Sequence, residues 1–233
     1  HFVINGVKRF ITTGKNCGLV IVTAKTDAGK RHRGITAFVV EKDTPGLTVA
    51  REEEKLGLRA SDTVDLYFEN CRVPAENILG GEGSGFSIAM SALDGGRIGI
   101  SAQSVGVATA ALEATISYAR TREQFGKPIG QHQGVAFQIA DMATEIEAAR
   151  LMMFNAASMK DRGENHTLAA SMAKLFASEM VNRITARAIQ LHGGYGFTTD
   201  YPVERYYRDA RVFTIYEGTS EIQRIVISRH LLK

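Results

Sequence analysis

The chain has 233 residues, 44% of them hydrophobic and 23% charged, with a formal net charge of +3. Such a chain can hold one large domain or two small ones, and its small, dispersed charge gives no case for nucleic acid. Cys17 and Cys71 lack metal-ligand spacing and are too few for a disulfide framework, so they read as reduced thiols.

The longest uncharged run, Ile98 to Leu112, is too short and too rich in Ser, Gly and Gln to cross a bilayer. No membrane span is expected. The start, His1-Phe2-Val3-Ile4, has no initiator Met and reads as the middle of a strand, which suggests a fragment or a processed form.

Residues 1–80 read as β structure. Phe2 to Ile4 and Val7 to Ile11 flank Asn5-Gly6, a strong hairpin signal. Gly18 to Lys25 and Gly34 to Glu41 are apolar, β-branched runs, Asp43-Thr44-Pro45-Gly46 is turn chemistry, and Thr63 to Phe68 alternates. The cluster Gly80-Gly81-Glu82-Gly83-Ser84-Gly85 fits neither Gly-x-Gly-x-x-Gly nor a phosphate loop, and reads as a flexible hinge between domains.

Residues 81–233 are expected to be helical. One long helix is predicted from about Phe86 to Arg120. A second stripe runs Val135, Ile139, Met142, Ile146, Ala149, Met153, Ala156, and a third Ala170, Ala173, Ala177, Val181, Ile184, Ala188, Leu191. A short helix closes the chain from Thr219 to Leu232. The fold class is therefore α+β, mainly α: a partial antiparallel β domain, then an antiparallel bundle of the four-helix type.

Polar groups out of place in a bundle mark candidate sites. Asp94-Gly95-Gly96-Arg97 sets an acid and a base three apart on one helix face. An ion pair explains the charges, but two glycines cost about 1 kcal/mol each in a helix, so close approach of a ligand or backbone also fits. Arg122 to Pro128 closes the same helix with an Arg and an aromatic, which a solvated C-terminus explains about as well. Gln190-Leu191-His192-Gly193-Gly194 carries more glycine than one cap requires, and nothing clusters with His192 to make it a metal ligand. Glu217, in Tyr216-Glu217-Gly218-Thr219-Ser220-Glu221, stands in a turn before a helix whose cap types are Thr219 and Ser220. It belongs either to an ordinary capped start or to a site for an enolising or anionic ligand.

Taken together and in order, these motifs resemble the acyl-CoA dehydrogenase family along essentially the whole chain. Asn5-Gly6-x-Lys8-x-Phe10-Ile11-Thr12 is similar to the flavin-facing hairpin of the middle β domain, and the later runs to the C-terminal bundle motifs. Leu93-Asp94-x-Gly96-Arg97-Ile98-Gly99 and Tyr207 to Arg211 point to the short-chain, butyryl-CoA type.

The resemblance implies FAD-dependent conversion of an acyl-CoA to the trans-2-enoyl-CoA. Glu217 would be the α-proton base, with hydride passing to flavin N5. It further implies that Phe10, Ile11, Thr12, Arg122, Phe125, Gln133, Gln190, Leu191, His192, Gly193, Gly194, Thr219, Ser220 and Glu221 contact FAD. Asp94, Gly95, Gly96, Arg97 and Gly218 would lie along the acyl-CoA. Some branches carry the catalytic Glu just before the helix Arg; here that position is Gly96.

An electron-transferring flavoprotein as acceptor, a homotetramer built as a dimer of dimers, and a bacterial cytoplasmic or mitochondrial matrix location follow as expectations of the resemblance. The family's N-terminal helical domain has no counterpart in the sequence, so the chain alone is expected to hold FAD poorly. The rival readings are an acyl-CoA oxidase using oxygen and a non-catalytic helical assembly module.

Overall fold

The structure is a computed structural model that describes residues 1–232. It divides into two compact units, His1–Ala92 and the remainder from Leu93 onward.

The first unit is two three-stranded antiparallel sheets. Strands β1 (Phe2–Thr12), β5 (Thr63–Val73) and β4 (Leu47–Glu52) form one, in the order β1-β5-β4. Strands β2 (Leu19–Lys25), β3 (Ile35–Glu41) and the short β6 (Ile78–Leu79) form the other, in the order β2-β3-β6. Alternate residues of both sheets, among them Val22, Phe38, Val40, Val64, Leu66 and Phe68, share one buried cluster. The two apolar faces therefore close on each other, as period-two strands require.

Two local expectations are corrected. Asn5-Gly6 makes no hairpin: the residues on either side pair with the same partner, Ile4 with Cys71 and Gly6 with Phe68. Asn5 instead accepts the Asn70 backbone N–H across the strands at 2.8 Å, where Asn70 has φ 50° and fills a bulge in β5. Nor are the glycines after Gly80 a free hinge. Gly83 donates its N–H to the buried Thr36 hydroxyl at 2.9 Å, and a Cβ on Gly85 would stand 2.6 Å from the Thr36 carbonyl carbon. These glycines permit close packing against β3.

The helical elements are α1 (Gly85–Thr121), α2 (Gln133–Asp161), α3 (Thr167–His192), α4 (Val203–Ala210) and α5 (Ser220–Leu231). The apolar stripes of α2 and α3 are the buried faces: Met142, Ile146, Ala149 and Ala156 on one, Ala170 to Ala188 on the other. Small alanines at these positions let helix axes come close. Between α1 and α2 stands a hairpin absent from the sequence reading, β7 (Glu123–Gln124) and β8 (Lys127–Pro128). Its turn, Phe125-Gly126, has positive φ at both residues, the pattern that matches strand twist. No helix among the described residues is long and apolar enough to cross a membrane.

Candidate active site

The Glu217 turn is held by buried groups. Glu217 has φ 52° and Gly218 φ 87°, two left-handed residues in succession just before α5. Only glycine is comfortable there, so Glu217 stores strain that its surroundings must offset. Thr219 caps α5, its hydroxyl oxygen accepting the Ile222 N–H at 3.4 Å. The Gln223 side-chain amide donates to the carbonyls of Glu217 and Gly218 at 3.1 and 3.0 Å. The Lys174 ammonium, fully buried on α3, donates to the Gly218 carbonyl at 2.7 Å. Burial pushes the Lys174 pKa down to about 8, with the nearby Glu217 charge opposing the shift.

The Glu217 carboxylate lies over α1 at Gly96, where an added Cβ would collide with its Oε2. One turn of that helix carries Asp94 and Arg97. Asp94 accepts from Arg97 Nη1 at 2.5 Å and from the Thr167 hydroxyl at 2.8 Å. Arg97 is only 4% exposed, and its Nε has no partner. Tyr216 stacks on Phe213 and donates its hydroxyl to Gln103 at 2.5 Å; burial pushes its phenol pKa upward. A partly exposed carboxylate thus faces a helix stripped of side chain at Gly96, with the buried Lys174 ammonium near it. Such a group can take a proton from a ligand lying against that helix.

A second group sits at the end of α3, where a cleft of about 520 Å³ is lined by Arg122, Gln124, Gln190, Leu191, His192, Gly193 and Gly194. The His192 ring stacks on Tyr118 at 4.4 Å, and its Nδ1 bonds the Ala188 carbonyl at 2.7 Å. Its buried Nε2 has no partner, and burial lowers its pKa, so the ring is neutral. Cβ positions at Gly193 and Gly194 would meet nothing within 4 Å, which leaves open backbone beside the Arg122 guanidinium. Donors, a cation and bare backbone around one cleft fit a phosphate-bearing dinucleotide such as FAD.

The remaining candidates are scattered. Thr219, Ser220 and Glu221 line another cleft of the second unit, of about 530 Å³, with Arg183 and Arg211. The Ser220 hydroxyl there is buried without a partner, and the Glu221 carboxyl is lowered by its own backbone N–H and then by Thr219. Gly95 points away from Gly96, toward the Lys160 ammonium. Phe125 is 94% exposed at the hairpin tip, and Gln133, also exposed, opens α2; neither joins the two clefts just described.

In the first unit, Phe10 is the bulged residue of β1, with φ 56° and 72% exposure. Asp65 fixes it by accepting both the Phe10 N–H at 3.2 Å and Arg9 at 2.7 Å. Ile11 packs into the sheet core, while Thr12 is exposed.

Sequence reasoning missed Lys174, Gln223 and Asp65. Lys174 did leave a signal, a lone cation in the all-alanine stripe Ala170, Ala173, Ala177.

Two family domains, matched in order along the chain, define its class: it belongs to the acyl-CoA dehydrogenase family. The family's C-terminal domain matches residues 83–232 and its middle domain residues 1–71. The caffeyl-CoA reductase–Etf complex subunit CarC of Acetobacterium woodii is 52% identical over 100% of this chain and 62% of its own length. The mitochondrial short-chain specific acyl-CoA dehydrogenase of Rattus norvegicus is 50% identical over 100% of this chain and 56% of its own. The solved butyryl-CoA dehydrogenase of Megasphaera elsdenii superposes with a TM-score of 0.98 at 48% identity, covering 99% of this chain and 60% of that one. The chain spans about three fifths of the length of these relatives.

Proposed function

We propose that the whole protein catalyses α,β-dehydrogenation of a short-chain acyl-CoA, with Glu217 as the α-proton base. The observation that carries this reading is the Glu217 carboxylate, held in a left-handed turn over Gly96. Removal of the α-proton puts negative charge on the thioester oxygen, and backbone N–H groups of the Glu217 turn are candidates to receive it. FAD, when bound, supplies the acceptor for the β-hydrogen and its electron pair. Arg122, Gln190 and the bare backbone of Gly193 and Gly194 would bind it in their cleft. Thr219 to Glu221 would hold its nucleotide portion, and Phe10 to Thr12 its ring system. Asp94 and Arg97 would line the acyl-CoA path.

An electron-transferring flavoprotein is the proposed electron acceptor, in keeping with the Acetobacterium relative's place in an Etf complex, and a homotetramer the proposed assembly. That relative is named as a reductase, which supports a second reading. A protonated Glu217 would then deliver the α-proton to an enoyl-CoA.

Anaerobic titration of the whole FAD-loaded protein with butyryl-CoA tests the first reading. Flavin absorbance near 450 nm should bleach, on the order of 10²–10⁴-fold more slowly in Glu217→Gln. Equal rates in the two proteins would remove Glu217 from the base role. If butyryl-CoA fails to bleach the flavin but crotonyl-CoA reoxidises reduced protein, the reductive reading takes its place. Peroxide formed without an added carrier would favour an oxidase.

A further inference from the structure

We propose that Lys174 and Gln223 are positioning residues that hold the Glu217-Gly218 turn in its left-handed conformation and so aim the base. The inference rests on the reading of Glu217 as base and adds two residues that support it from behind the turn.

Both side chains are fully buried, and both spend their donors on the carbonyls of this one turn. Lys174 comes from the N-terminal third of α3 and Gln223 from the first turn of α5, so the turn is gripped from two elements. A Cβ on Gly218 would stand 2.8 Å from the Gln223 amide nitrogen, which shows how tightly the grip closes.

Lys174 is an improbable core residue on structural grounds alone. It interrupts an alanine stripe, and no carboxylate among the described residues lies within ion-pair distance of it. Desolvating a lone ammonium is expensive, and an apolar side chain would serve packing better. What the ammonium adds is a charge-assisted hydrogen bond to a strained peptide. Burial lowers its pKa; of the charged groups around it, Glu217, Glu179 and Glu221 oppose that shift and Arg97 adds to it.

The test uses the whole protein loaded with FAD, and follows exchange of the α-deuterium of labelled butyryl-CoA into water together with KM and FAD content. Lys174→Met keeps length and removes the donor. Its expected phenotype is an exchange rate lowered about 10- to 100-fold, the scale of a small misplacement of a reacting group. KM should stay within about 3-fold of wild type and FAD content should be unchanged. Gln223→Leu should act in the same direction. A Met variant that exchanges as fast as wild type, as mere core filling predicts, would overturn the proposal. If that variant does not load FAD, Gln223→Leu decides by the same criteria. Failure of both to load FAD would assign the pair to structural support and likewise overturn the proposal. Glu217→Gln is the control: if it exchanges at the wild-type rate the base reading itself fails, and if it is inert while Lys174→Met is normal, only the positioning role fails.

Discussion

Glu217 and Gly96 illustrate how one residue's chemistry depends on another's missing atoms. The carboxylate stands where a side chain on Gly96 would be. Gly96→Ala should therefore slow flavin bleaching by about 10-fold or more by displacing the reacting group. The same change improves helix propensity by roughly 1 kcal/mol. A melting temperature that is unchanged or higher, together with slower bleaching, would separate displacement of the base from misfolding. The sequence marked both residues, Gly96 as one of two glycines with no helical purpose and Glu217 as a carboxylate at a helix start. That they touch was not legible.

Elements were read unevenly, and the reason is periodicity. Helices α2 and α3 bury one stripe over many turns, so their apolar residues repeat often enough to be recognised. Strands offer fewer repeats, and Asn5-Gly6, a hairpin signal by composition, is consumed by a cross-strand bond within one continuous strand. The bulge at Phe10 was invisible for the same reason, since it is imposed by Asp65 from β5. Asp65→Ala should free the bulged N–H and lower the stability of the sheet unit by about 1–3 kcal/mol, measurable by urea unfolding. Thr219→Ala should cost α5 about 1 kcal/mol through the lost cap, read as a shift in the urea midpoint of the helical unit.

At the scale of the whole molecule, two buried bases tie stability to pH. Unfolded Lys174 keeps its proton to about pH 10.5, whereas the folded group loses it above about 8. Between those values the unfolded chain binds more protons, so stability rises with pH across that window. His192, lowered by burial, is neutral in the folded state, so the unfolded chain takes up the extra proton as pH falls through 6.5 and stability drops on the acid side. Thermal unfolding from pH 5 to 10 should show both slopes. Lys174→Met should flatten the alkaline rise and leave the acid loss intact; an unaltered alkaline slope would mean that Lys174 is not the titrating group.

The sequence by itself determined the family, the mainly helical α+β fold and the residues worth suspecting, because motif order and helical periodicity are written along the chain. Tertiary structure alone decided which suspects meet. It set Glu217 over Gly96, brought Lys174 and Gln223 onto the same turn, gathered Arg122 with His192 around one cleft, and left Phe125 and Gln133 outside that group. Most of those outcomes come from contacts between residues distant in sequence, with no repeat to reveal them; Gln223, five or six residues from the carbonyls it meets, is the local exception. The alanine stripe around Lys174 marks it as out of place, but only the folded chain shows that its ammonium meets the Gly218 carbonyl.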